Sequence, residues 1–442
     1  MDANVALAMA VETEAFINSL RVDGGADAGV SWRQTSGPDA RSDTSLYHGS
    51  AGIIVFLLEL AQATGDSSYR QRAEDAGRTL AARLRAKTWA SVAFATGWPG
   101  YAFAMETLAE ATGDEEFRAV AVDCLDRLVA QSQEIGAGMA WVEPMPFAEI
   151  TGKTGDREIY DLSVGAAGAA LMFLHAHRNG LHPRGLEWAV SVGDRLLEVG
   201  DHTPDGTRWG LMADMPFPFT APNFAHGGAG VGYLFAQLFE ATGDQRHLDA
   251  AISAARYVMS RSHSVGEEAA LVCHTEEQQP PIFYLGECHG PAGTWRLLAT
   301  LGRVTGHEQW MKSARILLSG MKAIGAPATR SAGWWNNHSQ CCGDAGLGDS
   351  ALAMWQATGD DGYLDLAIAC ADVVANQSSI GVDGRWWMQA EHRARPKFTQ
   401  AQTGYMQGAA GIGSFLVHMA TSSAAGVAEG ANPRIWFPDE RL

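Results

Sequence analysis

The chain has 442 residues, 46% of them apolar and 19% charged, the composition of a globular protein with ample core. Its formal charge of −18 repels phosphate backbones and anionic membrane surfaces, which argues against nucleic-acid and membrane-surface partners. Apolar runs such as 53–61 fall short of the roughly 20 residues that span a bilayer, and six cysteines are too few for a disulfide scaffold.

Residues 1–40 read as a peripheral segment. Asp2 stands where a secretory signal would carry a basic residue, so a cytoplasmic protein is expected. From there a G-x-x-G pair recurs seven times, with first glycines at Gly49, Gly97, Gly165, Gly227, Gly290, Gly343 and Gly408. Five units carry a second marker: Thr64-Gly65-Asp66, Thr112-Gly113-Asp114, Thr242-Gly243-Asp244, Thr305-Gly306-His307 and Thr358-Gly359-Asp360 each begin 15 residues after their own first glycine. The third unit ends comparably at Asn179-Gly180.

A constant interval under a variable outer period predicts one helix of about four turns, some 22 Å long. Glycine opens it, and a second glycine in the left-handed conformation closes it. The stretches within the interval are apolar around most of their circumference, as buried helices should be. Those after the Thr-Gly-Asp turns, such as 67–84 and 245–261, are amphipathic and predict outer helices. Seven inner and seven outer helices make an all-α, (α/α)7 toroid or barrel with its glycine-rich turns on one rim. No linker interrupts the repeat, which predicts one domain over 1–442, with a repeat core of about 40–425 and peripheral termini. The tryptophan-bearing segments at Trp141, Trp209, Trp334–Trp335 and Trp386–Trp387 are expected to be core aromatics on loops or short hairpins.

Two turns carry chemistry as well as glycine. Cys288 and Cys341 each lie two residues before their first glycine, and His289 and Cys342 one residue before. Neighbouring turns of one rim would bring these four soft donors within reach of one ion. Zinc takes such thiolate and imidazole ligands, and a catalytic site leaves a fourth position open. Cys124, Cys273 and Cys370 are expected to fill small buried niches.

The seven turns, the "AHGGAG" at 225–230, the Cys-x-Gly turn at 288–290 and the cysteine-bearing turn at 341–343 together resemble the lanthionine synthetase C-like (LanC) cyclases. The resemblance covers nearly the whole chain. It implies an (α/α)7 barrel with a catalytic zinc ion, adding a peptide cysteine to dehydroalanine or dehydrobutyrine to form a lanthionine or methyllanthionine ring. It assigns the zinc ligands to Cys288, Cys341 and Cys342, a three-cysteine variant in which Cys342 stands where most relatives have histidine. His226 matches the family's catalytic histidine and Asp161 its catalytic aspartate. His289 takes the place of a tyrosine found beside the zinc cysteine in many relatives, and is a third catalytic candidate. An arginine usual just before the first zinc cysteine is missing from the stretch 283–287.

The implied partners are a dehydrated, cysteine-containing precursor peptide and a separate dehydratase, since seven repeats leave no room for one. Two other readings keep parts of this picture: addition of glutathione or another thiol to dehydroamino-acid-containing proteins, and a non-catalytic, zinc-bearing peptide scaffold. A six-hairpin glycosidase or sugar epimerase is disfavoured, because cysteines cluster where carboxylates would be needed.

Overall fold

The Thr-Gly-Asp segments set the helix lengths through three local interactions. In the segment at 64–66, the Thr64 hydroxyl donates to the Leu60 carbonyl at 2.7 Å and accepts from the Asp66 N–H at 3.2 Å. Gly65 ends the helix at φ +71°, and the Asp66 carboxylate then caps the next helix by accepting from Ser68 N–H at 2.8 Å. The same bonds recur at Thr242–Asp244 and Thr358–Asp360. At the fourth marker His307 replaces aspartate and provides no side-chain cap.

The computed structural model describes residues 1–24, 29–37, 40–144, 154–213, 221–276 and 280–424. Among them are fourteen helices. The first seven are α1 (Ala3–Ser19), α2 (Ser50–Thr64), α3 (Ser67–Ala86), α4 (Trp98–Thr112), α5 (Glu115–Ala130), α6 (Ala166–Arg178) and α7 (Gly185–Val199). The others are α8 (Gly228–Thr242), α9 (Gln245–Ser260), α10 (Pro291–Thr305), α11 (Glu308–Ala323), α12 (Asp344–Thr358), α13 (Asp361–Asn376) and α14 (Ala409–Ala424). Among the described residues, strands form only two-stranded antiparallel sheets. No described helix is long and apolar enough to cross a membrane.

The all-α expectation is met, with inner helices at the predicted places. The first eleven residues of α8 are buried, whereas α9 buries only one face, through His247, Ala251, Ala254, Ala255, Tyr257 and Val258. Short hairpins follow α5, α7 and α13, and each delivers a buried tryptophan. The Nε1–H groups of Trp141, Trp209 and Trp387 donate to the carbonyls of Leu128, Leu196 and Val374, all within 2.7–2.8 Å, near the ends of those helices. These indoles are core groups that also satisfy orphan helix carbonyls.

The chain divides into two compact units. One comprises Trp89–Pro99 and Val122–Ile324. Within it α6 packs on α7, α8 on α9, α10 on α11, and the inner helices α6, α8 and α10 pack in series.

The other unit comprises Met1–Thr88, Gly100–Ala121 and Gly325–Leu442. Within it α2 packs on α3 and α12 on α13, while the outer partner of α14 is α1. The N-terminal segment, read from sequence as peripheral, thus contains a packed helix that buries Ala6, Met9, Ala10, Phe16 and Ile17. Its packing could not be read locally, because its partner lies at the far end of the chain.

A buried ionic group ties three inner helices of this unit together. His418 of α14 contacts Asp349 of α12 at 2.8 Å and Glu59 of α2 at 3.2 Å, with all three side chains at most 2% exposed. Desolvation lowers the His418 pKa, but the charges of both carboxylates and hydrogen bonds to them push it up to about 10. A histidine raised from 6.5 in this way stabilises the fold fully below pH 6.5, and loses that contribution as pH climbs towards 10.

Two measurements test these local readings. Thermal unfolding from pH 6 to 10 should show a decline in the wild type that is much flatter in His418→Gln, which should cost about 3–5 kcal/mol at neutral pH by leaving the carboxylates uncompensated. His307→Asp should restore the missing cap and stabilise by about 1 kcal/mol; an unchanged melting temperature would contradict the cap's role.

Candidate metal centre and adjoining histidines

Glycine brings the turns close enough to share backbone hydrogen bonds. A Cβ on Gly230 would lie 2.1 Å from the Phe224 carbonyl oxygen and 2.9 Å from the Leu162 Cβ of the preceding turn. Only a bare Cα fits there. Within each of the two compact runs of turns, the residue two before a first glycine donates its N–H to the equivalent carbonyl of the next turn. One run links Ala95 to Ser163, Ser163 to Ala225 and Ala225 to Cys288, at 2.9–3.0 Å. Another links Cys341 to Met406 and Met406 to Tyr47, again at 2.9–3.0 Å.

These ladders put Cys288 and Cys341 in equivalent places, as their spacing from glycine predicts. The sulfurs of Cys288, Cys341 and Cys342 all lie within 4.8 Å of one another, and together they could hold a metal ion. No other such His/Cys/Asp/Glu group occurs among the described residues. Cys288 and Cys341 are buried and Cys342 is half-buried. Three thiolates suit a borderline-soft divalent ion with tetrahedral preference, and leave it one vertex. His289 is not part of this group.

Asp161 and His226 come from successive turns and meet directly. His226 Nδ1 lies 2.8 Å from Asp161 Oδ2, with the aspartate 1% exposed and the histidine 22%. The second carboxylate oxygen, Oδ1, accepts the Val164 N–H at 2.7 Å. The aspartate therefore holds its own turn and also fixes the tautomer of the imidazole, with the proton on Nδ1. His289 lies beside this pair, its ring centroid 5.1 Å from that of His226. Burial, and then the neighbouring His274 and His226 imidazoles, hold the His289 pKa well below the usual histidine range.

Four neighbours were not singled out from sequence. His274 stacks on Tyr284 with centroids 4.0 Å apart and meets His289 edge-on at 4.5 Å. Tyr47 and Gln407 lie beside the Cys341–Cys342 turn. Desolvation, followed by the charges of Cys341 and Cys342, raises the Tyr47 phenol well above the usual range. Gln407 Nε2 lies 3.7 Å from Cys342 Sγ. Their register was the available signal: Tyr47 is two residues before Gly49, and Gln407 one before Gly408.

The remaining cysteines are buried and lie outside the cluster. Burial pushes the Cys124 and Cys370 thiols up, as expected of small apolar fillers.

The architecture is that of an all-α protein of inner and outer helices, and its likeness to solved structures shows an α/α toroid. Nisin cyclase aligns with a TM-score of 0.60 at 12% identity, covering 86% of this chain and 89% of that one. An α-mannanase of glycoside hydrolase family 76 from Bacteroides thetaiotaomicron aligns at 0.53 with 14% identity, covering 95% and 98%. D-mannose isomerase aligns at 0.52 with 14% identity, covering 94% and 97%. No curated protein sequence matches the chain. The model of the family "Lanthionine synthetase C-like protein" matches residues 41–428, and the chain belongs to that family.

In the metal-free folded protein at pH 8, a small thiol reagent should modify Cys342 and leave Cys124 and Cys370 intact, as read by peptide mass mapping. Comparable labelling of Cys370 would contradict the burial argument.

Proposed function

We propose that the protein is a stand-alone, zinc-dependent lanthipeptide cyclase that closes thioether rings on a dehydrated precursor peptide. The observation that carries this reading is the cluster of three sulfurs from well-separated stretches of chain, in a chain of the lanthionine synthetase C-like family. Cys288, Cys341 and Cys342 would hold the ion. Zinc, when bound, supplies the Lewis acidity that lets a thiol of pKa about 8.5 ionise near neutral pH.

The reaction is an addition, so no atom leaves. The substrate cysteine sulfur bonds to the β-carbon of dehydroalanine or dehydrobutyrine. The double-bond electron pair moves towards the α-carbon and its carbonyl. One proton must leave the thiol and one must arrive at the α-carbon. His226 is suited to deliver the latter from Nε2, because its Nδ1 is engaged by Asp161 at 2.8 Å. Asp161 orients that imidazole and stabilises its charged form. His289, beside His226, is the second candidate proton carrier.

The dehydratase is a separate protein in this reading, the reaction takes place in the cytoplasm, and residues 1–442 act as one domain. Similarity to sugar-processing toroids does not redirect the proposal, because a shared fold leaves chemistry to the site.

Elemental analysis should find one zinc per chain, lost in Cys341→Ala. A cognate dehydrated peptide should lose its free thiol without changing mass. His226→Asn should keep the metal and slow cyclisation by about 10²–10⁴-fold; an unchanged rate would remove its role. Addition of free glutathione with no ring closure on several cognate peptides would replace the cyclase reading with intermolecular thiol addition.

A further inference from the structure

Residues outside the three-cysteine set make a directed hydrogen-bond chain that ends on one of its sulfurs, that of Cys342. Its polarity is set by the backbone. Asn337 Oδ1 accepts the Ser339 N–H at 2.9 Å, and Asn337 Nδ2 donates to the Ala390 carbonyl at 3.0 Å. These partners can only donate and only accept, respectively, so the Asn337 amide has one possible orientation. Its Nδ2 also donates to Gln407 Oε1 at 3.1 Å, which orients the Gln407 amide in turn.

The Gln407 amide, 2% exposed, then points its NH₂ at the Tyr47 hydroxyl oxygen at 3.0 Å and towards Cys342 Sγ at 3.7 Å. Tyr47 accepts from Gln407 on its oxygen, so the Gln407 NH₂ is divided between that hydroxyl and the Cys342 sulfur. The chain therefore ends on a donor aimed at the Cys342 sulfur.

Such donors matter because Cys341 Sγ and Cys342 Sγ are 3.4 Å apart. Two thiolates at that distance repel, and three around a divalent ion leave a net charge of −1. Hydrogen bonds to the charged form offset this repulsion. They also draw electron density from sulfur and hold its direction.

We infer that Gln407, oriented by Asn337 and braced by Tyr47, is a positioning residue that holds the Cys342 sulfur in its metal-binding direction. The inference rests on the three-cysteine metal site of the proposed function and adds residues that act on it through hydrogen bonds alone.

The test uses the full-length protein loaded with Co²⁺ or Zn²⁺, in wild type, Tyr47→Phe and Gln407→Glu. The first variant removes one hydroxyl; the second replaces the donating amide with a carboxylate of the same shape. Chelator competition should show metal affinity falling about 10-fold for Tyr47→Phe and up to about 100-fold for Gln407→Glu. The sulfur-to-cobalt charge-transfer band should move to lower energy in both, since a thiolate whose donor is removed or loosened is easier to oxidise. That shift is not expected of a general loss of stability, and each variant tests one link if the other fails to fold. Folded variants with wild-type affinity and an unmoved band would overturn the inference while leaving the metal site standing. Absence of a charge-transfer band in the wild type would overturn both.

Discussion

The site depends on a steric constraint: helix N-termini must approach so closely that a Cβ would collide with a backbone carbonyl. At Gly52, as at Gly230, the space of a Cβ is already taken, by the Leu46 carbonyl oxygen and the Tyr405 side chain. Meeting that constraint lets the turns exchange backbone hydrogen bonds at a common register. A residue's distance from its glycine then decides what it faces. Chemistry can be written into such a frame by changing one or two side chains per turn while the backbone repeats.

The register explains how the candidate residues sort. Positions two before the glycine hold Cys288, Cys341 and Tyr47; positions one before hold His226, His289, Cys342 and Gln407. Asp161, four before Gly165, reaches across to His226 of the following turn. The clustered cysteines and the neighbouring histidines thus occupy two adjacent registers of one repeated turn. A family whose turns carry other side chains would inherit the same geometry and different chemistry, which is consistent with the likeness of this fold to an α-mannanase and a mannose isomerase.

Energetically, the buried His418–Asp349–Glu59 group joins three inner helices through charge rather than apolar contact. Ionic groups of this kind seldom add net stability, but removing one partner is costly. Here the geometry requires α2, α12 and α14 to keep one rotational setting, because a turned helix would strand a charge in the core. The N-termini of those helices carry the turns of Tyr47, Cys341–Cys342 and Gln407, so core polarity and rim register constrain the same three elements.

Much of the architecture was legible in the sequence because it is local. A 15-residue interval closed by Thr-Gly-Asp encodes a helix, its left-handed stop and the cap of its successor within a few bonds. Register was also local, so the equivalence of Cys288 and Cys341 could be read by counting from glycine. Pairings between distant segments could not. Only the tertiary structure decided that α1 covers α14, that Asp161 meets His226 at 2.8 Å, and that Tyr47 and Gln407 lie beside Cys341 and Cys342. A repeat specifies each turn's internal geometry, but which turns become neighbours depends on how successive helices pack, and no single stretch of chain contains that information.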